Sequence, residues 1–312
     1  MRKIKVCFLI FVLLVFAPFL SMTARAADGK PVVGVAWHND PGETFIATCK
    51  AIEAAGGIPI VLGQVRSADL GYDDNGALVS SRDADGALTV QAAKLVRCNT
   101  WQGSNVESVM EGIAAVVFPG GSDISPSLCY IPQPVWAKEG YSAERDVSDY
   151  LLMSYCLEKD VPVLAICRGM QMLSVVSGAD IIQDIPAYMS GLGKGYAYEH
   201  RNEPKNPGSY RDFAFHDVDV TEKDSILYRI AGAVTVRRVP SWHHQMVGSV
   251  EGTRLKITGV TVTDGIGVIE AVERPDKTFA LGIQYHPEIA VVRRLDNSSI
   301  GYFRAIVAMA KQ

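Results

Sequence analysis

The sequence predicts an α/β protein with a mainly parallel central sheet and an antiparallel extension, and three observations carry that reading. Residues 31–37, 43–55 and 58–62 read as strand, helix and strand with short links, which makes the two strands parallel neighbours. Residues 161–166 and 170–176 repeat strand-then-helix across a sharp turn. Three strands in close succession, 255–262, 267–272 and 279–284, stand before a last amphipathic helix at 299–309, so the far side of the sheet is antiparallel.

Each element has its own signal. The run Pro31-Val-Val-Gly-Val-Ala-Trp37 is short and apolar, as a buried strand requires. The helix that follows spaces Phe45, Ile46, Cys49, Ile52 and Ala55 at helical intervals, and Gly56-Gly57 stops it. Residues 64–105 are polar and punctuated by glycine without a clear period, so they read as an excursion over the surface carrying one helix near 90–96. Order returns with the strand 114–118, which runs into Pro119-Gly-Gly-Ser-Asp123. A helix at 146–158 turns Leu151, Leu152, Tyr155 and Cys156 inward. Residues 213–220 alternate like a half-buried strand, a short helical piece runs through Ile230, and 234–239 is a further strand. No internal repeat or low-complexity block is read.

The first residues bear on location. Met1-Arg-Lys-Ile-Lys5 is basic, Val6 to Leu20 is apolar, and Ala24-Arg25-Ala26 is a small-x-small cleavage site, so residues 1–26 read as a signal peptide that is removed. The expected product, residues 27–312, is a single domain in the periplasm or outside the cell, without a stable membrane anchor. The whole chain has 30 basic and 34 acidic residues. Loss of Arg2, Lys3, Lys5 and Arg25 leaves 26 against 34, a net charge of −8 that argues against nucleic acid as a partner. Five cysteines remain, Cys49, Cys98, Cys129, Cys156 and Cys167. They are all reduced, or any disulfide joins two of the first four and spares Cys167.

Cys167 stands where an apolar strand ends and a helix begins, with Ala165 and Gly169 two residues to either side. Small residues at those places relieve crowding around a nucleophile held in a strained strand-to-helix turn. Gly120-Gly121, just past another strand end, let backbone N–H groups approach a ligand closely. After the last strand comes Tyr285-His-Pro-Glu288. If Pro287 keeps this segment extended, the Glu288 carboxylate reaches one nitrogen of His286 and leaves the other to face a thiol. The rival chemistry is a metal site from His243, His244, His286 and Glu288; no His-x-x-x-His or Cys-x-x-Cys spacing supports it.

Taken in order and spacing, residues 119–126, 144–146, 166–171, 241–245 and 282–288 resemble the class I glutamine amidotransferase-like hydrolases, most closely the γ-glutamyl-γ-aminobutyrate hydrolase family of cysteine peptidases. The resemblance implies a flavodoxin-like fold with helices on both faces of the sheet. It implies a triad of Cys167, His286 and Glu288 that cleaves γ-glutamyl amides through a thioester. It implies an oxyanion hole from Gly120, Gly121 and the Arg168 N–H, and a glutamyl pocket lined by Gln171, Ser241, Trp242, His243 and His244. Neither metal nor organic cofactor is expected; the partner is a small γ-glutamyl substrate, and homodimerisation stays open. Two places depart from the family: Ala165 replaces a glycine, and Val176-Ser-Gly-Ala-Asp-Ile181 replaces Leu-Gly-Gly-Thr-Leu, which is expected to reshape the adjoining pocket wall. The alternatives are a glutaminase subunit that supplies ammonia and a catalytically silent γ-glutamyl-binding protein.

Overall fold

A computed structural model describes residues 29–39, 41–131, 140–202 and 212–311. The expected signal peptide, residues 1–26, lies outside the described residues.

The chain runs β1 (Val32–Val35), α1 (Glu43–Ala54), β2 (Ile58–Val61), α2 (Val90–Asn99), α3 (Val106–Val109), β3 (Val116–Phe118), α4 (Ala143–Glu158), β4 (Val163–Ile166) and α5 (Arg168–Val176). It continues through β5 (Ile181–Ile182), α6 (Ile185–Gly191), β6 (Ala214–Val220), α7 (Ile226–Ala231), β7 (Thr235–Ser241), β8 (Met246–Val247), β9 (Lys256–Thr263), β10 (Ile266–Glu273), β11 (Ala280–Ile283), α8 (Pro287–Arg293) and α9 (Ile300–Met309). Nine strands form one sheet in the order β2-β1-β3-β4-β11-β10-β9-β6-β7. The strands from β2 to β11 are parallel, and from β11 outward every pair is antiparallel. This is the expected architecture of a parallel core with an antiparallel extension.

Side chains alternate across the pleat and feed two cores. Val163 and Ala165 of β4 join a cluster with Leu151, Leu152 and Met172 from α4 and α5. Leu164 and Ile166 of the same strand join Ile52 of α1 and Phe303 and Ile306 of α9 on the opposite face. Helices therefore cover both faces, and strands buried on both sides read as continuous apolar runs rather than alternating ones.

Three local expectations need correction. The buried face of α1 is Thr44, Phe45, Ala47, Thr48, Ala51 and Ile52, whereas Ile46 is 49% exposed and Cys49 half-buried. Two threonines fit the inward face because a helical hydroxyl is satisfied by the preceding turn, as Thr48 Oγ1 is by the Thr44 carbonyl at 2.8 Å.

Residues 64–105 are not a surface excursion, since Val65, Leu78, Leu88, Ala92 and Val96 are buried in the main core. They also hold a repeat that the sequence reading overlooked. In each of 72–78 and 82–88 an aspartate, Asp73 or Asp83, accepts from the backbone N–H groups two and four residues on, and a glycine with positive φ, Gly76 or Gly86, follows. The polar residues close these two turns while each delivers one leucine inward, a pattern with no helix or strand period to detect. Leu78 N–H then donates to Glu144 and Leu88 N–H to the Ser125 hydroxyl, so both turns are fastened to the body of the domain.

Pro287 does not keep its segment extended. It is the first residue of α8, with His286 as the N-cap at φ −113°, ψ 77°. A proline restricts the residue before it but itself fits the first turn of a helix, where its missing N–H is not needed.

Candidate active site

The parallel register places the carboxyl end of β4 beside that of β11, with Ile166 opposite Ile283. The turn after β4 carries Cys167, and the turn after β11 carries His286. Cys167 has φ 52° and ψ −108°, far from the ordinary basins of a residue with a side chain. Its N–H is tied to the Ile283 carbonyl at 2.7 Å and its carbonyl accepts from Gln171 at 3.1 Å, so both neighbouring elements hold the turn. Gly169 is required here: a Cβ would lie 2.4 Å from the Phe118 carbonyl oxygen. Its absence lets α5 pack directly on β3.

His286 Nδ1 lies 2.6 Å from Glu288 Oε1, and both side chains are fully buried. Because a carboxylate only accepts, Nδ1 carries the proton of the neutral ring and Nε2 is left as the basic nitrogen. Among the described residues Nε2 closes no geometric hydrogen bond, and the ring's other electrostatic partner besides Glu288 is Cys167. Burial works against a charged imidazole here, but the Glu288 carboxylate and then the Cys167 sulfur outweigh it and lift His286 to about 10. The edge of Phe213, 5.4 Å between ring centres, shields the imidazole. A thiol with a proton acceptor beside it, and an acid fixing that acceptor's tautomer, has the parts needed for nucleophilic attack on a carbonyl.

The Gly120-Gly121 turn is glycine because of what lies behind it. A Cβ on Gly120 would stand 2.9 Å from His286 Cε1, and one on Gly121 would overlap Arg145 at 1.8 Å. Arg145 donates to the carbonyls of Pro119 and Gly120 at 2.8 and 3.0 Å, fixing the turn from beneath. It belongs to a buried network: Arg145 Nε is 3.3 Å from Asp149, Arg168 pairs with both Asp146 and Asp149, and Asp146 accepts from Ser125 N–H at 3.0 Å. Burial and then the neighbouring Arg168 charge bring Arg145 down to about 9, while burial raises the Asp146 carboxyl. The sequence reading had this segment only as a motif; two acids on successive turns of α4, spaced to meet two arginines, were the available signal.

Beside Cys167 lies a pocket lined by Gly121, Asp123, Arg168, Gln171, Arg201, Trp242, His243, His244 and Gln245. Most of the predicted substrate-contacting residues are thus gathered there. Ser241 is not among the lining residues: it ends β7 fully buried, with its hydroxyl unpartnered among the described residues. Asp123 and Arg201 are lining residues that the sequence reading missed. His244 is clamped by two carboxylates, Asp184 at 3.0 Å and Asp123 at 3.1 Å, and Arg201 lies over the Trp242 ring at 4.7 Å. Neither residues 64–105 nor the departing segment 176–181 borders this pocket. The latter acts at one remove, since β5 pairs with β8 directly after Gln245. All five cysteines of the described chain are free.

The rival metal set is not brought together: His286 lies between Glu288 and Cys167, His244 faces Asp123 and Asp184, and His243 faces Glu270. A different group converges instead: the ligand atoms of His200, His216, His243 and Glu270 lie within 4.8 Å of one another, all buried. Its signal in the sequence was a histidine at an inward position of an alternating strand and a glutamate inside the apolar run Val268-Ile-Glu-Ala-Val272.

Residues 77–288 match the Peptidase C26 family. The chain is 32% identical over 181 residues to protein NtpR of Enterococcus hirae, covering 58% of this chain and 69% of that one. It is 30% identical over 242 residues to a glutamine amidotransferase-like protein of Rickettsia prowazekii, covering 68% and 82%. With the γ-glutamyl-γ-aminobutyrate hydrolase of Escherichia coli strain K12 it shares 26% over 194 residues, covering 59% and 68%.

Proposed function

The chain belongs to the Peptidase C26 family of class I glutamine amidotransferase-like cysteine hydrolases, and from that premise we propose that it hydrolyses γ-glutamyl amides with Cys167 as nucleophile. The observation that carries the reading is the meeting of Cys167 and the His286–Glu288 pair at adjacent strand ends, beside a pocket that offers both signs of charge. A γ-glutamyl group presents an α-amine and an α-carboxylate. Asp123 and Arg201 match those two charges, and Gln171 supplies a neutral polar contact.

In this mechanism the thiol proton of Cys167 passes to His286 Nε2 ahead of attack, in keeping with an imidazole held charged to about pH 10, and Sγ then attacks the amide carbon. The N–H groups of Arg168 and of the Gly120–Gly121 turn receive the charge that develops on the carbonyl oxygen. Collapse expels the amine, which takes the proton from His286, and leaves a γ-glutamyl thioester. Water, deprotonated by the same nitrogen, then releases glutamate and the thiol. Glu288 orients the ring throughout and offsets the charge of the imidazolium.

We place the protein outside the cytoplasm on the strength of residues 1–26. There γ-glutamyl bonds occur in small peptides, poly-γ-glutamyl chains and peptidoglycan stems, so the leaving amine is expected to differ from γ-aminobutyrate while the acyl side stays strict. The test is covalent labelling with a glutamine-analogue electrophile, followed by kcat/KM on matched amides. One adduct per chain on Cys167 and strong preference for γ- over α-glutamyl amides are expected. An unlabelled Cys167 would leave a silent binding protein, and free glutamine as the best substrate would replace the reading by a glutaminase.

A further inference from the structure

Three of the chain's six histidines meet one glutamate away from Cys167. His216 comes from β6, His243 from the link between β7 and β8, Glu270 from β10, and His200 from the segment that carries Arg201. His200 Nδ1, His243 Nε2 and His216 Nε2 stand 3.0, 3.5 and 3.8 Å from Glu270 Oε1. The three nitrogens and both Glu270 oxygens are without a geometric hydrogen-bond partner among the described residues, although all four side chains are at least nine-tenths buried. Unpaired polar atoms in such a place carry a desolvation penalty that something must offset.

The outer nitrogens show what is missing. His243 Nδ1 faces the Gln245 carbonyl at 2.8 Å and His216 Nδ1 the Asp217 carbonyl at 3.2 Å. A carbonyl only accepts, so each outer nitrogen holds the proton and each inner one presents a lone pair. His200 Nε2 is held at 3.2 Å by the Thr263 hydroxyl, which turns Nδ1 inward as well. Lone pairs of His243 and His216 converging with a carboxylate and the third ring call for a cation, and outer-nitrogen contacts of this kind are those that orient metal-bound histidines.

We propose that His200, His216, His243 and Glu270 form a four-coordinate site for a divalent transition-metal ion of the zinc class. Imidazole and carboxylate donors suit such an ion better than magnesium or calcium, which prefer all-oxygen shells. With metal–ligand distances of about 2.0–2.2 Å, tetrahedral ligands stand roughly 3.4 Å apart, and the three contacts to Oε1 bracket that separation. Four protein ligands fill a tetrahedron, so the site is structural and independent of the thiol chemistry. Its effect reaches the pocket, because Arg201 and His243 line it, and His243 N–H donates to the His200 carbonyl at 3.0 Å. The ion ties the Arg201 segment to β6, β10 and the β7–β8 link.

The test uses the full chain purified without chelator, then stripped with dipicolinate and reloaded with Zn²⁺ or Co²⁺. Elemental analysis is expected to give about one zinc per chain, and the cobalt form to show the intense visible absorption of four-coordinate Co²⁺. His216→Ala and Glu270→Gln should each lower retained metal at least tenfold, and zinc should raise the melting temperature of the stripped wild type but not of His216→Ala. Should those variants fail to fold, the wild-type stoichiometry and cobalt spectrum decide alone. Less than a tenth of an equivalent on the reloaded wild type, six-coordinate cobalt, or undiminished binding by folded His216→Ala overturns the proposal.

Discussion

A side chain at φ 52°, ψ −108° costs free energy that glycine would not, on the order of 1–3 kcal/mol for residues held in sparse backbone regions. Cys167 is therefore where stability and chemistry oppose one another. Cys167→Ala is expected to abolish turnover and keep the fold, because one sulfur at a turn leaves little void. Cys167→Gly should be equally inactive yet more stable than Cys167→Ala by about 1 kcal/mol in urea denaturation, and the reverse order would remove the case for strain. His286 makes a second prediction. Its folded pKa is raised from 6.5 to about 10, so its charge stabilises the fold fully below about pH 6.5, and that contribution is lost as pH rises through about 10. Glu288→Gln removes the main source of the increase. The alkaline fall in stability should then flatten and the alkaline limb of kcat/KM should move to lower pH; superimposable profiles for the two proteins would refute this.

At the scale of elements, the turn after β3 and the start of α5 are held from one side by shape and from the other by charge. Gly169→Ala drives a methyl into the Phe118 carbonyl and should destabilise by roughly 1–3 kcal/mol, with activity falling because α5 carries Gln171 and the Arg168 N–H. Asp149→Asn leaves Arg145 and Arg168 short of a buried counter-charge. A loss of about 3–5 kcal/mol is expected, read as a lowered melting temperature. The repeating elements were legible in the sequence, because apolar runs and helical spacing report burial directly. Residues 64–105 were not, since their order comes from aspartate side chains closing turns, and neither was α8, where proline reads equally as a stiffener of extended chain and as a helix start. The inward threonines of α1 were missed for a related reason: local bonding to the preceding turn hides their polarity.

At the scale of the whole molecule, the nearness of Cys167 to His286 and Glu288 was legible because Cys167 follows β4, His286 follows β11 with Glu288 two residues on, and the carboxyl ends of parallel strands gather on one side of the sheet. The convergence of Asp123 and Arg201 on the pocket, the Arg145 network and the histidine cluster were not, because each joins residues remote in sequence through pairings that the sequence alone does not specify. Ser241 differs from its neighbours in burial: it ends β7 fully buried, whereas Trp242 to Gln245 line the pocket. If Arg201 reads the substrate carboxylate, Arg201→Ala should raise KM for a γ-glutamyl amide at least tenfold more than it lowers kcat. An effect confined to kcat would assign it elsewhere.

The order of the strands in the sheet has a consequence for how the molecule is made. β11 is the last strand synthesised, yet it lies in the middle, between β4 and β10. Until it emerges, the parallel and antiparallel halves have no common border, and β4 lacks its partner on one side. The thiol is consequently translated long before the imidazole that would activate it, and the two meet only through a contact of high sequence separation, the kind that closes slowly. On the proposed function, a chain cut short before His286 carries Cys167 without the imidazole that would activate it.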